Sequence, residues 1–394
     1  MLAVIAGLTA GCLSEEEKID HRADKLHLNM LTVDTHCDTP MRLTRTGFDL
    51  GIRNDNGCVD FPRMKEGGLD AEFFAIFIGQ GPRTAEAFET EHQNTLATFD
   101  SIHKSVARYP QMAGLALTPE DAARLKSEGR IAAFIGIENG YPIGLDITKI
   151  KQYYDLGARY ITLCHSANND ICDSSTDPEG PEHQGLSVFG EEVVREMNRL
   201  GMMVDVSHIS DQSFYDVLEI TKAPVIASHS SCRALCESPR NLNDEMLLAL
   251  RENGGVIQIC ILSDYLKQPE PNPEFDAKVK ELRERWKAMG ELTEAQQEQR
   301  WSEFSALREK YTKLATVADA VNHIQHVVDV IGVDYVGIGS DFDGGGGIEG
   351  CTDVSMMKNI TKELIRRGYS NEDIEKIWGG NVMRVMHAVE SAAI

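Results

Sequence analysis

The sequence predicts an α/β protein folded as a (β/α)8 TIM barrel of the metal-dependent hydrolase type, with a helical excursion between strands seven and eight. Three observations predict it. Eight near-continuously apolar runs, at 31–36, 71–78, 131–137, 160–164, 202–206, 224–228, 255–261 and 335–340, alternate with helical patterns. That is the signature of a parallel sheet covered on both faces. Eight units in a chain of 394 residues suit one closed barrel better than an open doubly wound sheet. Finally, His, Asp and Glu residues recur at the C-terminal ends of these runs, and in a barrel those ends share one face.

Residues 1–12, MLAVIAGLTAGC, are apolar and too short to span a bilayer. They resemble the end of a bacterial lipoprotein signal, in which Cys12 would carry the lipid, although no basic segment precedes them and Thr9 stands where an aliphatic residue is usual. The expectation is an exported, periplasmic or lipid-anchored protein; the alternatives are an ordinary helix or strand start and a cytoplasmic location. Residues 13–30 are a charged, loosely helical lead-in, and 31–390 form the catalytic domain.

VDTHCDTP, 33–40, closes the first strand. His36 and Asp38 lie two apart, so an extended backbone points both the same way, while Cys37 between them points away. A polar loop runs to Asp60, FPRMKEGG is a short helix stopped by Gly67 and Gly68, and 71–78 is strand two. A helical pattern over 84–108 ends at Pro110, and Pro119, Glu120 and Asp121 suit the first turn of the next helix. Strand three ends at Glu138.

The later units are regular. Helices end at Gly157, Gly201 and Gly254, residues suited to the left-handed turn that follows a last helical turn. The strands between them end at His165, His208 and His229. The excursion, 266–315, has 17 charged residues among the 40 from Pro271 to Lys310, with Trp286 and Trp301 as its large apolar anchors. It reads as a charged helical segment packed on the outside or over the rim; simple solvent exposure is one reading, and covering the site or forming a subunit contact is the other. Strand eight leads to Asp341 and Asp343, and Ser370 with Asp373 forms a capping box on the last helical pair.

Composition narrows the function. The formal charge of −23 disfavours nucleic acid and anionic lipid as partners. No GxGxxG or Walker lysine follows an early strand, and DFDGGGGIEG has neither the spacing nor the lysine of a phosphate loop. Cys37, Cys164 and Cys260 lie in or beside apolar runs and read as buried free thiols.

The chain has only 12 histidines, yet four of them stand at strand ends beside Asp38, Glu138 and Asp341. One zinc needs three protein ligands and a water. Six donors on one rim imply two ions, about 3.5–4 Å apart, holding a hydroxide between them. His36, Asp38 and Asp341 would take the first ion, His208 and His229 the second, with Glu138 bridging.

VDTHCDTP, FPRMKEGGLDAEFFAIFI, GIENG, LCHSANN, GLSVFGEEVVREMNRLGMMVDVSHIS, IASHSSCRALCESPRN and GSDFDG together resemble the membrane (renal) dipeptidase family, zinc dipeptidases of the amidohydrolase superfamily. The similarity runs from about residue 25 to 390. It implies a TIM barrel, two Zn2+ per subunit, a homodimer and hydrolysis of dipeptides by a metal-bridging hydroxide; relatives differ in accepting a C-terminal D-residue, and that choice stays open here. It also implies that Asp341 handles the hydroxide proton, that His165 contacts the substrate carbonyl and steadies the tetrahedral intermediate, and that Arg240 binds the substrate C-terminal carboxylate. The acceptor for the substrate amine stays open between Asp38 and Asp343. Cys37 stands where an apolar or small residue is expected; Glu72, where many relatives have glutamine, has no assigned role. The rival readings are another amidohydrolase acting on amides or lactones, and a non-catalytic metal-binding scaffold. A carboxylated lysine bridges in many of the former, whereas the bridge here would be Glu138.

Overall fold

The computed structural model describes residues 13–44, 47–268, 270–290 and 292–393. Cys12 and the lipoprotein-like stretch lie outside the described residues. The strands are β1 (Val33–Cys37), β2 (Ala71–Phe77), β3 (Ala113–Leu115), β4 (Ile131–Glu138), β5 (Ala158–Thr162), β6 (Met203–Asp205), β7 (Ile226–Ser230), β8 (Val256–Cys260) and β9 (Val336–Gly339). All pair in parallel in the order β1-β2-β4-β5-β6-β7-β8-β9. Asp341 N–H donates to the His36 carbonyl at 3.0 Å and Asp38 N–H to the Phe342 carbonyl at 2.8 Å, so the last strand returns to the first. The fold is the eight-stranded barrel that the sequence predicts.

One strand was not predicted. β3 has three residues and pairs with the start of β4, beside the barrel path. A run that short lacks the length from which a strand period can be read.

The helix stops follow glycine's conformational freedom. Gly201 and Gly254 adopt φ of 76° and 81° after helices Val188–Leu200 and Asp244–Asn253. Ser370 and Asp373 form the expected reciprocal cap. Between β8 and β9 the chain forms two helices, Pro273–Ala288 and Glu294–Tyr311, that pack on each other, and Trp286 is buried with its Nε1 donating to Glu303 Oε2 at 3.0 Å. Among the described residues no helix is long and apolar enough to cross a membrane. Cys37, Cys164 and Cys260 are buried free thiols.

Inside the barrel, Phe73 stacks on Phe134 at 4.6 Å and on Tyr160 at 5.6 Å between ring centres. This aromatic layer is the floor beneath the C-terminal rim. Gly136 makes room for it: a Cβ there would lie 2.1 Å from the Tyr160 ring.

Away from the rim, His323 accepts the Cys232 N–H at Nδ1 (3.0 Å) and donates from Nε2 to the Leu266 carbonyl (2.9 Å). That pattern requires the neutral ring, and burial lowers its pKa to about 4. The unfolded chain binds the extra proton first, so this stabilisation is complete above about pH 6.5 and declines as pH falls towards 4. The total loss is about 3 kcal/mol at roughly 1.36 kcal/mol per pH unit. Denaturant unfolding of the parent and of His323→Gln across this window is expected to show the steeper acid loss in the parent. Equal slopes would remove His323 as the cause.

Candidate active site

The rim is shaped first by an irregularity in β1. Asp34 pairs with Glu72 and Cys37 with Phe74, so three steps of β1 oppose two of β2. This bulge turns both Thr35 and His36 inward. Thr35 donates across the barrel to the Ser228 carbonyl (2.7 Å), and His36 reaches Tyr160. Asp34 pins the bulge by accepting from His36 N–H (3.3 Å) and Ser340 N–H (2.7 Å). Cys37 consequently faces away from the cavity, on the same side as the buried Glu72.

His36 donates from Nδ1 to Tyr160 Oη at 2.9 Å, because the Tyr160 hydroxyl is itself donated to the Thr35 carbonyl at 3.1 Å. Its Nε2 is buried and without a hydrogen-bond partner, 3.6 Å from Asp38 Oδ2 and 3.6 Å from Glu138 Oε2. Asp38 Oδ1 is likewise buried and unpartnered. Glu138 turns its other oxygen to the opposite wall: Oε1 lies 2.9 Å from His208 Nε2, 3.3 Å from His229 Nε2 and 3.7 Å from His165 Nε2. His208 and His229 bring their Nε2 atoms within 2.9 Å of each other.

Of the second histidine pair, His229 is oriented from below, whereas His208 Nδ1 is buried without a partner. His229 donates from Nδ1 to Ser228 Oγ (2.8 Å), and Ser228 donates to Asp205 Oδ2 (2.6 Å). Asp205 is held by the Ser207 and Ser228 amides at 3.0 and 2.9 Å. A carboxylate, a hydroxyl and an imidazole in series fix which ring nitrogen is left free.

Backbone strain gathers at the same rim. Five described non-glycine residues have positive φ, and four of them are Asn139, His208, Asp341 and Asp343. Such conformations persist where the surroundings impose them. Gly344 lets the chain pass close by: a Cβ there would sit 2.0 Å from Asp38 Oδ2 and 2.2 Å from Asp341 Oδ1.

The electrostatics describe a donor set in need of cations. Burial works against charge on Glu138, but His36, His165, His208 and His229 hold its pKa well below the usual carboxylate range. Burial, then the charge of Glu138, raises Asp38 to about 6. Asp341 is pushed well up by burial and by Asp38 and Glu138. Burial, with Arg240 and His165 beside it, keeps the His208 imidazole neutral, and burial and His36 take His229 down to about 3. The neutral imidazoles of His208 and His229 beside crowded carboxylates fit a site for a divalent metal. Three donor triads converge within 4.8 Å: His36–Asp38–Asp341, His36–Glu138–His229 and Glu138–His165–His208.

The structure brings every sequence-derived candidate to one cavity of about 650 Å3, except that His36 forms its buried floor. His165 is the most open of the imidazoles, with a quarter of its side chain exposed and its ring 4.8 Å from Phe77. Arg240 is buried, with Nη2 2.9 Å from the His229 carbonyl, its Nε unpartnered, and Tyr265 5.2 Å from the guanidinium. Asp343 is already satisfied by Thr39 Oγ1 (2.7 Å), Arg42 Nε (2.9 Å) and Cys58 N–H (3.0 Å). Tyr160, Asp205, Ser228 and Gly344 had no role from sequence. Only Gly136, an isolated glycine in an apolar strand, signalled the close approach of Tyr160.

Comparison with known proteins gives a consistent picture. The family profile "Membrane dipeptidase (Peptidase family M19)" matches residues 20–394. The dipeptidase verJ of Clonostachys rogersoniana is 36% identical over 95% of this chain and 88% of its own. The dipeptidase aclJ of Aspergillus oryzae is 34% identical over 86% of this chain and 71% of its own. Among solved structures, the probable dipeptidase PvdM from Pseudomonas aeruginosa superposes with a TM-score of 0.84 at 30% identity, covering 95% of this chain and 99% of that one.

Proposed function

The chain belongs to the membrane dipeptidase family, peptidase family M19, and from that premise we propose that it hydrolyses free dipeptides at a pair of zinc ions, with C-terminal D-residues among the accepted substrates. The placement of Glu138 carries the reading, since its two oxygens face two separate groups of donors. His36, Asp38 and Asp341 would hold one ion, His208 and His229 the other, with Glu138 common to both. Two zinc ions, when bound, supply Lewis acidity at the scissile carbonyl and acidify the attacking water.

The chain's own groups do the rest. Asp341 takes the water proton and returns it to the leaving amine. His165, open to the cavity, donates to the oxyanion that develops on the carbonyl. Arg240 receives the C-terminal carboxylate on a guanidinium already fixed by the His229 carbonyl. With Asp343 satisfied by its neighbours, Asp38, which lines the cavity, is the remaining acceptor for the substrate ammonium.

A panel of L,L- and L,D-dipeptides, their C-terminal amides, and cyclic amide and lactone substrates tests the reading. Free dipeptides are expected to be cleaved, with activity lost to chelator and restored by zinc; preferential cleavage of lactones or cyclic amides would move the chain to another amidohydrolase chemistry. Arg240→Ala is expected to raise KM for free dipeptides about 30- to 100-fold, the cost of a charged hydrogen bond, with zinc content unchanged. If amides are cleaved as well as free acids, Arg240 does not bind the carboxylate. The reading extends to a homodimer, which sedimentation would refute by finding a monomer. It extends also to export with lipid on Cys12, which unprocessed, lipid-free protein in the cytosol would refute.

A further inference from the structure

Three arginines border the cavity, and their partners differ. Arg240 is buried against β7. Arg42 is spent on Asp343 at 2.9 Å. Arg300, from the helix Glu294–Tyr311 of the excursion, is exposed at the cavity wall and makes no ion pair or hydrogen bond among the described residues.

The rest of the wall has no work for a cation. The rim acids Asp38, Glu138 and Asp341 face the imidazoles and one another, and Asp343 is neutralised by Arg42. Beyond them the lining includes Met41, Phe77, Leu262 and Tyr265, which accept the apolar stem of a side chain. The cavity, at about 650 Å3, is of the size that encloses a drug-sized ligand, and a dipeptide of two small residues leaves much of it empty. An unpaired guanidinium on the outer wall of such a space recognises a carboxylate.

Resting on the dipeptidase reading above, we propose that Arg300 is a specificity-determining residue that selects dipeptides carrying a second carboxylate on a side chain, such as a glutamyl residue. The excursion thereby supplies a wall of the substrate site that the barrel itself does not. Arg300 takes no part in bond cleavage; it acts on binding of the substrate's distal group.

The test compares kcat/KM for Glu-Ala with Gln-Ala and for Ala-Glu with Ala-Gln, in the zinc-loaded parent, Arg300→Gln and Arg300→Glu. The amide is isosteric with the acid, so each ratio isolates the charge. In the parent one of the two series is expected to favour the acid by about fivefold, the upper end for an exposed ion pair, and the ratio should shrink as salt screens it. Arg300→Gln is expected to bring that ratio to about one, and Arg300→Glu to invert it. Parent ratios of one in both series, with Ala-Ala still cleaved, overturn the inference and leave the dipeptidase reading intact. A parent preference that survives unchanged in both variants also overturns it. Failure to cleave any dipeptide of the panel overturns both.

Discussion

Glu138→Ala is expected to lower zinc content below one ion per chain and to reduce dipeptide hydrolysis by at least about 10³-fold, more than the loss of a single oxyanion donor. The reason is geometric. Oε2 lies 3.6 Å from His36 Nε2 and Oε1 lies 2.9 Å from His208 Nε2, so one truncation removes a donor from each group. It also leaves His208 and His229 facing each other at 2.9 Å with no carboxylate between them and His36. Metal analysis after dialysis and a thermal scan with and without added zinc would check this. The parent should gain stability with zinc by mass action, and the variant should gain little. A variant that keeps two zinc ions with undiminished activity would end the bridging role and, with it, the two-ion reading.

Asp341→Asn separates proton handling from structure. The side chain keeps its shape and can still fill the space beside Gly344, but a carboxamide cannot accept the water proton. The expected loss is in kcat, about 10²- to 10⁴-fold, the range for positioned general acid–base groups, with KM for dipeptides changed little. Single-turnover kinetics with measured zinc occupancy distinguish this from simple loss of an ion. If kcat stays within tenfold of the parent at full zinc occupancy, another group carries the proton. Cys260, whose thiol lies 3.7 Å from Asp341 Oδ2, would then be the neighbour to examine next.

Much of this site is legible in the chain because a barrel concentrates its strand ends on one face. Once eight apolar runs are recognised, His36, Glu138, His165, His208, His229 and Asp341 need no further information to be placed together. The supporting groups are not legible in that way. Tyr160 sits inside a strand as an ordinary core aromatic, and only the tertiary structure shows its hydroxyl fixing the ring of His36. Asp205 and Ser228 belong to different strands, and their series with His229 exists only once β6 and β7 pair. Gly344 looked like one member of a glycine run, yet its missing Cβ is what lets the backbone pass two carboxylates.

The sequence by itself determined the alternation of strand and helix, the donors at the strand ends and the charge of the excursion, since period and residue identity are local properties. The tertiary structure alone decided that a bulge turns His36 inward, that Asp343 is consumed by Arg42 while Asp38 Oδ1 stays free, and that Arg300 meets the cavity from a segment outside the barrel rhythm. Those outcomes depend on register, closure and competition for hydrogen-bond partners between residues up to about 300 positions apart, and such distances in the chain leave no local pattern to read.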